Sequence, residues 1–345
     1  MRRSNMNENS RRRARRFEII ALVGRIVCVL LILVGIIMLV KIWEDQNLTD
    51  STNTSAGELI SAPEKKREIV TYNGKNYALR NNLETTLIIG YDGNSDDVYD
   101  GGVPTFNQGD LLFLVVADKS AGTYNTLHIN RDTMTVVEEL TSKGVLVKET
   151  VAQVALAYAY GGTDGIRCRN TVKSVSTLLG GIKINHYVAV GMDSVPMLND
   201  SVGGVTLTVM DDINDELKQG ETVTLLGEQA LAYVRARMSI KESTNLHRME
   251  RQKQYLEAFR PLFVNKAEQD ASFVLDVLMQ LGDRMYSDCP VDRLAQIVSD
   301  LTKMEGLAYL TIEGEIQEGE EFLEFYPDVA ALREMIMSLF YEEVD

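Results

Sequence analysis

Residues 110–132 read Asp110-Leu-Leu-Phe-Leu-Val-Val-Ala-Asp118-Lys-Ser-Ala-Gly-Thr-Tyr124-Asn-Thr-Leu-His-Ile129-Asn-Arg131-Asp132. Two buried-strand candidates, the apolar run Leu111–Ala117 and Tyr124–Ile129, flank a segment of turn-forming residues, which predicts an antiparallel hairpin. Asp110 opens the first strand and Arg131 follows the second, so both stand at the same end. Upstream, Thr86–Tyr91 is a third buried-strand candidate and ends at Asp92. If its C-terminus lies at that end too, two carboxylates and a guanidinium share one rim of a sheet. Residues 93–109, between the two acids, are mostly Gly, Asn, Asp and Ser. An irregular loop that long in a compact domain is usually functional.

Downstream the pattern alternates. Val147–Tyr160 has helical spacing and runs into Gly161-Gly162, a helix stop. Arg169–Leu179 predicts a second helix, Ile182–Val190 a strand, Asp193–Val202 a short helix and Val205–Val209 a strand. Helices follow at Gly227–Arg237 and Leu246–Phe263. The tail adds helices near Ser272–Leu281, Val291–Met304 and Asp328–Tyr341, with a strand near Ala308–Ile312. Strands interleaved with helices indicate an α/β domain. It starts near the Asn73-Gly74 hairpin signal inside Ile69–Leu79 and spans 67–345, including a helical C-terminal part.

The N-terminal portion is of another kind. Residues 1–43 hold nine Lys or Arg against two acidic residues, so the rest of the chain carries more than the whole formal charge of −15. Residues 1–16 form a basic arm. Residues 17–43 contain the uncharged run Ile26–Val40, which reaches spanning length, ~20 residues, with Arg25 and Lys41 snorkelling. Basic residues before it and Glu44-Asp45 after it predict a single-pass membrane helix, N-terminus in the cytoplasm and the domain outside. A cleaved signal peptide is the rival, but no small-x-small cleavage site follows directly. Residues 44–66 are polar and read as a stem. An acidic domain excludes a nucleic-acid binder. Three cysteines are too few for a disulfide framework; Cys168 and Cys289 pair only if the fold brings their Cα atoms within ~7 Å.

Nucleophile-elbow, Walker A, His-Glu-x-x-His and dinucleotide-binding motifs are absent. The three histidines, His128, His186 and His247, read as structural. What stands out is arginine in an acidic domain. Arg235 and Arg237 end one predicted helix; Arg248, Arg251 and Gln252 begin the next at i, i+3, i+4 spacing, on one face. Guanidinium groups near a helix N-terminus suit an oligo-anion. With Arg131 and two carboxylates able to hold Mg²⁺, the set suits a diphosphate ester bound with a metal. Ordinary solvated helix charge is the bland alternative.

The ordered segments Leu87-Ile-Ile-Gly-Tyr-Asp92, Gln108-Gly-Asp110, Ile129-Asn-Arg-Asp-Thr133, Ala157-Tyr-Ala-Tyr-Gly-Gly162, Ile184-Asn-His-Tyr187, Val202-Gly-Gly-Val205, Gly227-Glu-Gln-Ala-Leu-Ala-Tyr-Val-Arg-Ala-Arg237 and Arg248-Met-Glu-Arg-Gln252 resemble the LytR–CpsA–Psr family from about residue 80 to about 340. The resemblance implies a three-layer α/β/α sandwich with a mixed central sheet, whose apolar interior receives a polyprenyl tail. It implies a membrane-anchored phosphotransferase of Gram-positive walls. Such an enzyme moves a glycopolymer, such as teichoic acid, from a polyprenyl-pyrophosphate carrier to a peptidoglycan hydroxyl. Pyrophosphate-binding roles then fall to Arg131, Arg235, Arg237, Arg248 and Arg251, with Gln252 beside them. Mg²⁺ falls to Asp92 and Asp110. Arg131, Asp132 and Asp110 are the catalytic candidates, Asp132 either orienting Arg131 or accepting a proton.

Four positions depart from the family's pattern. Gln108 replaces an arginine, Asn130 a proline and Gln153 lies near a usual lysine, while an acid expected near Asn245 is missing. These predict reduced activity and motivate two alternatives: a non-catalytic polyprenyl-phosphate or glycan-binding scaffold, or, with only the basic arm for support, a transcription attenuator.

Overall fold

Six strands build the central sheet: β1 (Leu83–Tyr91), β2 (Gly109–Asp118), β3 (Thr123–Ile129), β4 (His186–Gly191), β5 (Met285–Ser287) and β6 (Glu305–Thr311), in the order β5-β4-β1-β2-β3-β6. The sheet is mixed. β1, β2 and β3 run antiparallel in sequence, whereas β4 lies parallel to β1 and β6 parallel to β3. This computed structural model describes residues 69–92, 99–100, 103–104, 107–236, 245–319 and 322–345, all within the unit Arg67–Asp345. The arm, membrane segment and stem lie outside the described residues. Among those described, no helix is long and apolar enough to cross a membrane.

Alternation along the strands sends side chains to two cores. On one face, Leu87, Ile89, Leu112, Leu114, Leu127 and Ile129 pack under α1 (Asp164–Leu178) and the late helix Val329–Phe340. On the other, Ile88, Val188 and Val190 meet Val274, Leu278 and Leu294. Those last residues lie on helices Phe273–Leu281 and Val291–Lys303. A further cluster joins α2 (Val195–Ser201), α3 (Glu228–Arg235) and the long α4 (Asn245–Gln269) through Met192, Val205, Leu225, Tyr233 and Tyr255.

The predicted hairpin at the start of the domain is present. Asn73 and Gly74 both take positive φ, 49° and 76°, as a two-residue turn between Ile69–Tyr72 and Lys75–Leu79 requires. The chain's last strand, Tyr341–Val344, pairs with Lys75–Leu79 and closes the end of the domain onto its beginning.

The helix expected at 147–160 is not there. Leu146–Gln153 is a strand paired with Met134–Leu140, followed by a 3-10 turn at Val154–Tyr158. Val147 and Val151, four apart, mimic a helical stripe. Both are exposed, and β-branched residues beside a complementary strand favour the ladder. Cys168 and Cys289 are both free thiols, so the conditional disulfide is absent.

His128 of β3 is 1% exposed, lies with its ring tilted 49° against Phe113 at 4.3 Å and bonds through Nδ1 to the Tyr309 hydroxyl. Burial, reinforced by the nearby Arg248 charge, pushes its pKa down from 6.5 to about 3. Within that window the unfolded chain holds a proton that the folded chain lacks. Stability therefore falls as pH drops from 6.5 towards 3, with a slope of up to ~1.4 kcal/mol per pH unit from this group. Urea midpoints across the window check this: His128→Gln, which cannot titrate, should flatten the slope whatever its effect on stability at neutral pH. An unchanged slope would assign the acid sensitivity elsewhere.

Candidate functional site

Strand register brings the three rim residues together. Tyr91 pairs with Gly109 across a bulge, and Leu112 pairs with Ile129, so Asp92, Asp110 and Arg131 all emerge at one end of the sheet. Asp110 accepts from Arg131 Nη1. Arg131 Nη2 donates to Gln108 Oε1 at 2.6 Å, and its Nε donates to Asp132 Oδ1 at 3.3 Å. The guanidinium is thus oriented by three side chains, and its own side chain is only 12% exposed.

The second arginine group comes from α3 and α4. Arg235, in the last turn of α3, is half-exposed and ion-paired with Asp92. Arg248 is buried in the first turn of α4 and donates to Asn245 Oδ1. Arg251 is 1% exposed and turned inward: Nη1 meets Asp211 Oδ2 at 2.6 Å, Nε meets the Tyr233 carbonyl at 3.2 Å, and Nη2 meets the Ala236 carbonyl. It locks the C-terminal end of α3 to α4. Gln252 donates to the Val234 carbonyl at 3.2 Å; its Oε1 is buried with no hydrogen-bond partner among the described residues. Arg237 lies outside the described residues.

The four departures from the expected pattern meet here. Asn130 Oδ1 accepts from the Asp132 backbone N–H at 3.0 Å and from Asn245 Nδ2 at 2.6 Å, and Asn245 holds Arg248. Gln153 Nε2 bridges Asp132 Oδ1 at 3.3 Å and the Leu323 carbonyl at 2.7 Å. Gln108 caps the Arg131 end of the same chain of contacts. Amides thus join the rim to the N-terminus of α4. The Asn130–Asn245 contact spans 115 positions of sequence, so no local pattern announces it. Asp211, likewise missed, is 40 positions from Arg251.

An apolar groove runs from this rim between the sheet and α4. Its first section, about 200 Å³, is lined by Ile88, Leu111, Phe113, Val234, Gln252 and Phe259 among others. Gly90 also lines this section, where a side chain would crowd its neighbours: a Cβ there would stand 3.0 Å from Leu111 Cβ and 3.1 Å from Met192 Sδ. A second section, about 470 Å³, shares Ile88, Phe113, Leu256 and Phe259 and continues past Val115, Phe263 and Tyr309. Positions 111, 113 and 115 face one side of β2, and 252, 256, 259 and 263 one side of α4. The groove is therefore a continuous consequence of two periodicities. It meets the cluster at Val234 and Gln252, the chain neighbours of Arg235 and Arg251.

A family model described as the LytR_cpsA_psr family matches residues 47–336. Among curated proteins, the polyisoprenyl-teichoic acid–peptidoglycan teichoic acid transferase TagU of Halalkalibacterium halodurans is 27% identical over 212 residues, 60% of this chain and 64% of that protein. The cell wall biosynthesis protein LcpA of Corynebacterium glutamicum is 29% identical over 135 residues. The matched regions span less than two thirds of the first of these relatives and a quarter of the second. Among solved structures, TagT bound to LI-WTA superposes with a TM-score of 0.56 at 22% identity, over 75% of this chain and 90% of that one. The mixed sheet and its surrounding helices are therefore shared.

Proposed function

Because this chain belongs to the LytR–CpsA–Psr family, we propose that it is a cell-wall glycopolymer transferase acting on a polyprenyl-diphosphate-linked donor. The observation that carries the reading is the junction of an apolar groove with a cluster of oriented guanidinium groups, those of Arg131 and Arg248 largely buried and that of Arg235 half-exposed. A ligand with a long apolar tail and a diphosphate head matches both halves, since well-packed interiors leave no such groove without use. The similarity to TagU, a polyisoprenyl-teichoic acid–peptidoglycan teichoic acid transferase, supports the same substrate class.

In this reading Arg131, Arg235 and Arg248 face the diphosphate. A sugar hydroxyl of peptidoglycan attacks the phosphorus that bears the glycopolymer and gives up its proton to solvent, the phosphoanhydride bond breaks, and polyprenyl phosphate leaves. The guanidinium groups neutralise charge on the leaving phosphate, the largest contribution a preorganised site can make. Asp132 acts as the residue that orients Arg131, a role its contacts with Arg131 Nε and Gln153 support. Arg251 acts at one remove, by fixing the α3 carbonyls beside the head group.

Asp92 and Asp110 offer hard carboxylate oxygens at the rim where phosphate oxygens would lie, the donor set Mg²⁺ prefers. Each is now paired with an arginine that a diphosphate would draw away. Mg²⁺ bound there would supply further positive charge. Single-pass anchoring through residues 17–43, with this domain outside the cell, fits a donor that resides in the membrane.

Mass spectrometry of the purified full-length protein is expected to detect a co-purified polyprenyl phosphate or diphosphate. Leu256→Trp, placed where the two groove sections meet, should abolish that lipid while circular dichroism stays unchanged. Lipid retained in Leu256→Trp would show that the groove is not its site. A binding role without turnover has one observation in its favour, Gln108 in place of the expected arginine. Wild-type protein that holds lipid tightly but never releases polyprenyl phosphate in the presence of acceptor would establish it.

A further inference from the structure

At the end of the sheet opposite the arginine rim, His186, Asp288 and Cys289 form a second cluster of ligating side chains. β4 is parallel to β1, with Gly191 beside Tyr91 at the rim and His186 beside Thr86 at the far end. β5 runs antiparallel to β4, Ser287 against Val188, which delivers Asp288 and Cys289 to the start of β4. Cys289 Sγ lies 3.1 Å from His186 Nδ1, and Asp288 Oδ2 lies 3.6 Å from the same nitrogen. One ligating atom from each residue lies within 4.8 Å of the others.

We propose that these three residues bind a divalent transition metal, Zn²⁺ by the chemistry of the set. A thiolate and an imidazole with one carboxylate select zinc over Mg²⁺ or Ca²⁺, which take oxygen ligands. Zn–S and Zn–N bonds of ~2.3 and ~2.0 Å at the tetrahedral angle place sulfur and nitrogen about 3.5 Å apart, close to the spacing found. Neighbouring bonds orient each ligand. Asp288 Oδ1 accepts the Tyr187 N–H at 3.0 Å, which leaves Oδ2 towards the cluster. Ser287 Oγ donates to the Tyr187 carbonyl at 2.9 Å and accepts the Cys289 N–H at 3.0 Å. His186 Nε2 faces Glu84 Oε1 at 3.4 Å, and that carboxylate is held by Lys119 at 2.6 Å and Arg293 at 2.7 Å. A carboxylate behind a ligating histidine fixes its tautomer and raises its donor strength.

Three protein ligands leave the fourth tetrahedral position for water, and the histidine side chain is 24% exposed, open to incoming metal. Binding replaces the Cys289 thiol proton with the metal and releases that proton. The metal would tie the residues just before helix Val291–Lys303 to the central sheet, away from the diphosphate chemistry.

The test uses full-length protein in detergent, stripped with chelator and titrated with Zn²⁺ by calorimetry and with Co²⁺ by absorption. The expected result is one Zn²⁺ per chain, a Co²⁺ spectrum with a thiolate-to-metal charge-transfer band, and loss of that band in Cys289→Ser. His186→Ala should weaken Zn²⁺ binding by more than about 100-fold, and Glu84→Gln by roughly 10-fold, as expected for a group that supports a ligand. A melting temperature for each apo variant separates misfolding from ligand loss. No saturable binding to folded wild-type protein, or equal affinity in folded Cys289→Ser, would overturn the proposal. So would a Co²⁺ spectrum without the charge-transfer band.

Discussion

Replacing Arg131 by alanine is expected to lower glycopolymer transfer by roughly 10³-fold, the upper range for one preorganised donor to developing charge. On the proposed reading the loss should fall on kcat, because Arg235 and Arg248 would remain to bind a diphosphate head. It is also expected to exceed the effect of Arg235→Ala: Arg235 is half-exposed, whereas Arg131 is held by Gln108, Asp110 and Asp132. Release of polyprenyl phosphate under single-turnover conditions is the measurement. Equal losses at 131 and 235 would mean that charge alone matters and that the orienting contacts do not. Gln108→Arg provides the opposite sign. It removes an acceptor of Arg131 but adds a cation where the proposed phosphate would lie, so transfer should rise although the ligand-free protein becomes less stable. A Gln108→Arg variant no faster than wild type would show that the glutamine already performs the arginine's task.

The second large effect is on folding. Asp211→Ala leaves the Arg251 guanidinium, 1% exposed, without its counter-charge. Breaking one side of a buried pair typically costs ~3–5 kcal/mol. The two carbonyl contacts to Tyr233 and Ala236 soften that loss without removing it. Thermal melts followed by near-ultraviolet circular dichroism should show a clear drop in midpoint, with Asp211→Asn intermediate. A change below about 1 kcal/mol, the range of an exposed pair, would mean that water reaches the guanidinium and that the α3–α4 lock is weak.

Which of these features a reader could extract from the sequence follows from the distance over which each is encoded. The rim was legible: strand candidates of seven and six residues with a polar turn between them leave one strand pairing, and Asp110 and Arg131 must then share an end. The face of α4 was legible too, from i, i+3, i+4 spacing. What that face points at was not. Arg251 shares its stripe with Arg248, yet it serves Asp211 and two backbone carbonyls. Only the three-dimensional approach of a segment 40 residues earlier decides that. The strand at Leu146–Gln153 was misread for a related reason. Spacing on one element carried two readings, and the partner at Met134–Leu140 settled it.

The amide chain through Gln108, Asn130, Gln153 and Asn245 has a consequence for descent. Asn130 is 3% exposed and answers Asn245 directly; substitution of Asn130 strands the Asn245 amide donor and the Asp132 N–H, whereas substitution of Asn245 leaves Asn130 Oδ1 with the Asp132 N–H. Contacting residues are not additive, so an exchange at 130 should be accompanied by one at 245 as related chains diverge. A proline at 130, which has no amide to offer, would therefore cost less once 245 has also changed.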